Sequence, residues 1–231
     1  MKLTGVHPLI RASPFQSALA SAYKTMSTRI ASLSTITDAI TKDHRELREY
    51  YNEVILTKDA DHRARYGNQF TWDLARHSIA EELIVYPAME KYMGAKGKQL
   101  ADDDRAQHHR VKELLKEYQN LRGDDHNHVN KIKELWQALS QHIKEEEEKD
   151  LPELEQAILN AEGEGDSEKL AKTFQRTKYF VPTRSHPSAG ENPAFESVMG
   201  LMAAPMDKLA DIFRKFPKEE DSLANWNKDA P

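Results

Sequence analysis

The chain of 231 residues contains no cysteine. That excludes disulfides, zinc fingers, thiol catalysis and cysteine-ligated iron–sulfur clusters, so any metal must be held by nitrogen and oxygen donors. Glycine is scarce, at 9 residues, which suits helices better than a turn-rich β fold. No apolar run approaches the ~18 residues of a membrane span. The net charge of −5 argues against a generic nucleic-acid surface. Neither Glu-x-x-His nor His-Glu-x-x-His occurs, so the ferritin-like ligand scheme and the zincin proteases lack their signatures.

Acidic residues are also missing from the first stretch, where none precedes Asp38. Lys2, Arg11, Lys24 and Arg29 lie among many Ser and Ala residues there. Residues 1–35 thus resemble a mitochondrial transit peptide, which is basic, amphipathic and acid-poor. The expected location is mitochondrial. The alternative is cytoplasmic, with a disordered leader or an upstream extension before a start at Met26.

What is present is mostly helical pattern. Hydrophobic residues make up 39% of the chain, enough for one core. Ile40, His44, Leu47, Tyr51 and Ile55 fall on one stripe at steps of three and four. Phe70, Leu74, His77, Glu81, Ile84 and Ala88 form a second, His108, Val111, Leu115 and Tyr118 a third, and Leu135, Leu139, His142 and Glu146 a fourth. Turn signals separate them in "TKDADHRARYG", "MGAKGKQLADDD" and "LRGDDHNH". Short breaks between long helices imply antiparallel neighbours. The expected fold is all-α: an up-down-up-down four-helix bundle over 36–161, then a C-terminal helical extension packed on it over 162–231. Within that extension "GEGDSEKL" reads as a linker, followed by a short helix and a Pro-rich loop. Phe195, Val198, Met199, Met202, Leu209, Ile212 and Phe213 then make one apolar helix face, expected to cover the bundle, with Trp226 in a mobile tail.

Each stripe holds a histidine where an ordinary core has leucine, and two also hold a glutamate. The pattern repeats. "RHSIAEELIVYPAMEKY" and "QHIKEEEEKDLPELEQA" share His, Glu-Glu from the fourth residue on, then Pro. His44 and His108 are 64 residues apart, His77 and His142 65. Two copies of one helical hairpin would each offer a histidine from the first helix and a His-x3-Glu pair from the second. Residues at i and i+4 share a helix face. Helix lengths set the donors at similar heights, with the join at Gly94 fitting less well and Pro87 expected to bend or end its helix.

Four imidazoles and two carboxylates would therefore face the axis. Burying glutamates unpaired is costly, and divalent cations remove that cost. Mixed imidazole and carboxylate ligation suits iron, manganese, zinc or copper. Six side chains exceed one tetrahedral zinc site. A dinuclear centre bridged by glutamates fits, with an oxide or hydroxide bridge and room for an exchangeable ligand.

The region 37–161 resembles the hemerythrin-like family, the HHE cation-binding domain. "DHRELR" at Asp43, "RHSIAEELIVYPAME" at Arg76, "HHRVKELL" at His108 and "QHIKEEEEKDLPELE" at Gln141 carry the resemblance. It implies a non-haem di-iron site binding or reacting with dioxygen, peroxide or nitric oxide, for sensing, storage or detoxification. Carried over residue by residue, the metal ligands are His44, His77, Glu81, His108, His142 and Glu146. An oxidative enzyme acting on a small organic substrate and an iron-storage or structural bundle are the alternatives. The chain departs from respiratory hemerythrin, whose third helix carries a histidine pair one turn apart. Here Asp104 and Lys112 stand one turn either side of His108, so the fifth histidine is missing unless Asp104 or Glu82 replaces it. His109 is an outside candidate. Glu145, Glu147 and Glu148 are expected on a solvated face.

Overall fold

A computed structural model of the protein describes residues 35–161, 164–186, 203–218 and 221–222. The leader, residues 195–202 of the expected apolar helix and Trp226 lie outside the described residues.

All regular structure among the described residues is helical. Helix α1 spans Ile36–Leu56, α2 Ala60–Ala80, α3 Tyr86–Tyr118, α4 His128–Glu145, α5 Leu151–Ala161 and α6 Glu164–Thr177. Local chemistry sets their starts. Thr35 and Asp38 form a reciprocal capping box on α1, and the Asp59 carboxylate accepts from the Asp61 and His62 amides to cap α2.

Two joins are not breaks at all. Between α2 and α3, Glu81–Val85 forms a π-helical turn, and between α4 and α5, Glu146–Asp150 forms another. In each, an amide bonds five residues back: Tyr86 to the Glu81 carbonyl and Leu151 to the Glu146 carbonyl. Pro87 and Pro152 come directly after. A proline ring collides with the carbonyl four residues earlier in a regular α-helix. One extra residue per turn relieves that collision, so Pro87 widens its helix instead of ending it. The break expected at "MGAKGKQLADDD" falls at Gly94, whose φ of 59° and ψ of −133° kink α3 into two helical arms, 86–93 and 95–118.

Helix α1 packs along α2, and α3 along α4. α6 lies against α1, α5 and the first π turn. The linker expected at 163–170 is thus helix from Glu164 onward. Ser167 on α6 accepts from the Ile36 amide at 2.9 Å, tying the extension to the start of α1.

The later extension contacts the bundle differently from expectation. Residues 203–211 are helical, but Leu209, Ile212 and Phe213 face outward at 63%, 73% and 85% exposure. Polar anchors hold this segment instead: His186 to Asp207 at 2.9 Å, Thr183 to Asp211 at 2.7 Å and Asn68 to the Lys215 carbonyl at 2.9 Å. Phe216 adds an apolar contact, edge-on to Trp72.

The core is split. One apolar cluster contains Ile36, Ile40, Val85, Met89, Leu151, Leu154 and Phe174. A second contains Leu47, Phe70, Leu74, Val111, Leu115, Leu135 and Leu139. The residues lying between them in sequence on every long helix are polar: His44, His77, Glu81, His108, His142 and Glu146, all buried.

Candidate metal centre

The six side chains converge. His44 Nε2 lies 3.2 Å from His77 Nε2, and His108 Nε2 lies 3.0 Å from His142 Nε2. Each pair joins adjacent helices, α1 with α2 and α3 with α4. Glu81 spans the two pairs, with Oε1 3.1 Å from His77 Nε2 and Oε2 3.3 Å from His108 Nε2. Glu146 sits between the other two rings, its Oε2 3.5 Å from His44 Nε2 and 3.7 Å from His142 Nε2. His44, His77 and Glu81 form one group able to hold a cation; Glu81, His108 and His142 form another.

The π turns start on these glutamates. A widened turn rotates and lifts the residues after it, and such turns recur at functional sites. Here the fault occurs twice, at matching positions of the two repeats. A proline follows the turn in both repeats, Pro87 and Pro152.

Around the inner ring stands an outer one. The outward nitrogen, Nδ1, of each histidine faces a carboxylate: Glu147 at 2.9 Å from His44, Asp43 at 3.3 Å from His77, Glu82 at 3.4 Å from His108 and Asp104 at 3.8 Å from His142. The last is too long for a hydrogen bond. Carboxylates in these positions orient a ligating imidazole and raise its basicity. Two are themselves tethered by lysine: Lys178 to Asp43, and Lys112 to Glu82 at 2.7 Å. Phe174 on α6 meets the His77 ring edge-on.

The outer ring was largely missed in the sequence, though a signal existed. Asp43, Glu82 and Glu147 each adjoin an inner donor in the chain. A neighbouring residue points ~100° round the helix, toward the next helix's histidine. Glu147 is therefore not merely on a wet face. Glu145 and Glu148 are exposed as expected. Asp104 and Glu82 stand behind histidine rings, facing Nδ1 of His142 and of His108. His109 is half exposed, 3.6 Å from Glu113 and off the centre.

Electrostatics describe a site whose charges do not balance internally. Both oxygens of Glu81 and both of Glu146 are buried without a properly aligned hydrogen bond. The short His77–Glu81 separation is an ion-pair distance, not a hydrogen-bond geometry. Burial raises the Glu81 carboxyl, but His77 and His108 overcome this and hold it well below its usual range. Glu146 is pushed well above, by burial and then by Glu81, Asp104 and Asp150. Burial lowers His77, yet Glu81 and Asp43 bring it up to about 9. His142 is pushed well down, by burial and then by His108. Cations at the centre would ionise Glu146 and take up the orphaned oxygens, so these residues fit a metal centre. Tyr86 stands beside it, fully buried, its phenol pushed up by burial and by Glu81, Glu146, Asp104 and Glu82.

The profile of the hemerythrin HHE cation-binding domain matches residues 35–154. The chain belongs to the hemerythrin HHE family. Family membership and the paired His/Glu groups agree on metal binding. A hemerythrin-like protein of Schizosaccharomyces pombe is 46% identical over 185 residues, covering 80% of this chain and 89% of that protein. A Nostoc protein named DNA nickase is 24% identical over 149 residues, covering 64% of this chain but 40% of its own length. No solved structure matches. The hemerythrin match ends at 154, so α6, which supplies Ser167, Phe174 and the approach to Lys178, lies beyond it.

Proposed function

We propose that this hemerythrin-family chain holds two non-haem iron ions with His44, His77, Glu81, His108, His142 and Glu146, and that the centre binds or reacts with dioxygen, peroxide or nitric oxide. The observation that carries the reading is the inner ring: four Nε2 atoms turned toward two buried carboxylates whose oxygens lack hydrogen bonds. A nitrogen and oxygen donor set without sulfur suits iron. The proposed scaffold is the up-down-up-down four-helix bundle, with the polar layer across its middle.

Bound iron would supply redox chemistry and a place for a small exchangeable ligand. The chain's own residues hold the geometry. Glu81 reaches both histidine pairs. The outer carboxylates fix which imidazole nitrogen carries the proton, leaving Nε2 free to ligate. The two apolar clusters keep water from either end of the layer.

An enzyme acting on an organic substrate requires a cavity that reaches the centre. The cavity of about 400 Å³ lined by Gly67, Tyr118, Leu121 and His128 includes none of the six donors, so it is not such a cavity. The activity named for the Nostoc relative is not carried over, because the match spans 40% of that protein.

The test is metal analysis and optical spectra of protein purified without oxygen, before and after air or nitric oxide. Iron near two per chain, with an oxidant-dependent band that disappears in His77→Ala, is expected. Full iron and an unchanged band in that variant would overturn the assignment.

A further inference from the structure

We infer that Tyr86 is the hydrogen-bond donor facing the exchangeable ligand of the proposed iron centre. The inference rests on that proposed function. It starts from an accounting of one proton. Tyr86 is fully buried, and its Oη lies 3.1 Å from His108 Nε2 and 3.2 Å from His108 Nδ1. A buried hydroxyl needs a partner. Neither nitrogen is a lasting acceptor for it. His108 Nδ1 faces Glu82, which Lys112 holds in place, so the ring proton belongs there. His108 Nε2 faces Glu81 and His142, where its lone pair serves a cation. With iron bound, both His108 nitrogens are committed, and the phenol proton is left beside the centre.

The phenol cannot turn away easily. Tyr86 closes the first π turn, its amide bonded to the carbonyl of Glu81, so one backbone device sets both side chains. The Arg105 guanidinium lies 5.5 Å over the ring and is itself held by Glu90 and Asp102. The ring packs in the apolar cluster with Val85, Met89 and Leu151. The second repeat has Leu151 where the first has Tyr86, each closing its π turn. The donor is therefore on one side of the centre only, next to the His108–His142 pair. A ligand that accepts a hydrogen bond would bind there in preference to carbon monoxide, a poor acceptor.

The probe is azide, added to the ferric full-length protein. In the wild type, the azide stretching frequency should differ between H2O and D2O. In Tyr86→Phe, iron content should be unchanged, the isotope shift should vanish, and azide affinity should fall about tenfold, as expected for one lost hydrogen bond. Unchanged affinity with a persisting shift in the variant overturns the inference. So does a phenolate-to-iron charge-transfer band in the wild type that Tyr86→Phe removes, because Tyr86 would then be a ligand. A wild-type chain that takes up no iron overturns the proposed function beneath it.

Discussion

Asp43 Oδ2 lies 3.3 Å from His77 Nδ1, behind the ring whose other nitrogen faces Glu81. Burial would raise the Asp43 carboxyl, but the hydrogen bond with His77 and the charge of Lys178 bring it down to about 2. A carboxylate charged at every working pH thus stands behind one inner donor, fixed by a lysine from beyond the family domain.

Asp43→Asn keeps the shape and removes the charge. Affinity for ferrous iron should fall about 10- to 100-fold, the usual effect of losing such a partner. Lys178→Met should weaken binding less, since Asp43 remains. Competition with a chelator of known affinity reads both. Equal binding by wild type and Asp43→Asn would show that the outer carboxylate does not tune His77.

The turn inside α3 depends on two glycines for different reasons. Gly94 has φ 59° with nothing near the place of a Cβ, so Gly94→Ala meets only backbone strain, about 1–3 kcal/mol. At Gly97 a Cβ would lie 1.9 Å from the Met89 carbonyl oxygen. Gly97→Ala must push apart the two arms of the turn and should destabilise more. Urea midpoints at unchanged m decide the order; a larger loss at Gly94 would contradict it.

His128 is buried beside Tyr118 at the far end of the bundle, and burial, then Arg63, push its imidazole down from 6.5 to about 4. The unfolded chain takes up this proton more readily than the folded one. The stability tied to the neutral ring is therefore whole above pH ~6.5 and is lost as pH falls through about 4. His128→Phe keeps a ring and removes the proton site. Its melting temperature should fall less steeply than the wild type's between these pH values, and parallel curves would refute the account.

The sequence and structure agree most where a side chain had to be buried. The six inner donors were readable because His and Glu interrupt apolar stripes at helical steps, and the structure buries all six. The π turns were not readable. Pro87 signals trouble for a helix, but whether the chain breaks or widens depends on packing on both sides. The C-terminal face of Leu209, Ile212 and Phe213 shows the opposite limit: amphipathic spacing gives a face, not which way it turns. There the polar anchors Asp207 and Asp211 point inward and the apolar side chains outward.

Glu146 gives the sharpest separation of stability from function. Its carboxyl is fully buried, with neither oxygen hydrogen-bonded, and is driven toward the protonated form by burial and neighbouring carboxylates. Such a group destabilises the metal-free fold. Glu146→Leu replaces it with apolar volume between Ile143 and Leu151, which belong to the two apolar clusters. The metal-free variant should be more stable than the metal-free wild type by about 1–2 kcal/mol, as when buried ionic groups give way to hydrophobic ones. Metal should then reverse the order. The wild type should gain about 2.7 kcal/mol at ferrous iron one hundred times its dissociation constant, and the variant, lacking one of the six proposed donors, should gain far less. Thermal melts with chelator and with iron test both halves. If the variant melts lower than the wild type with chelator present, Glu146 stabilises the empty fold, and the case for a layer kept polar to hold cations fails.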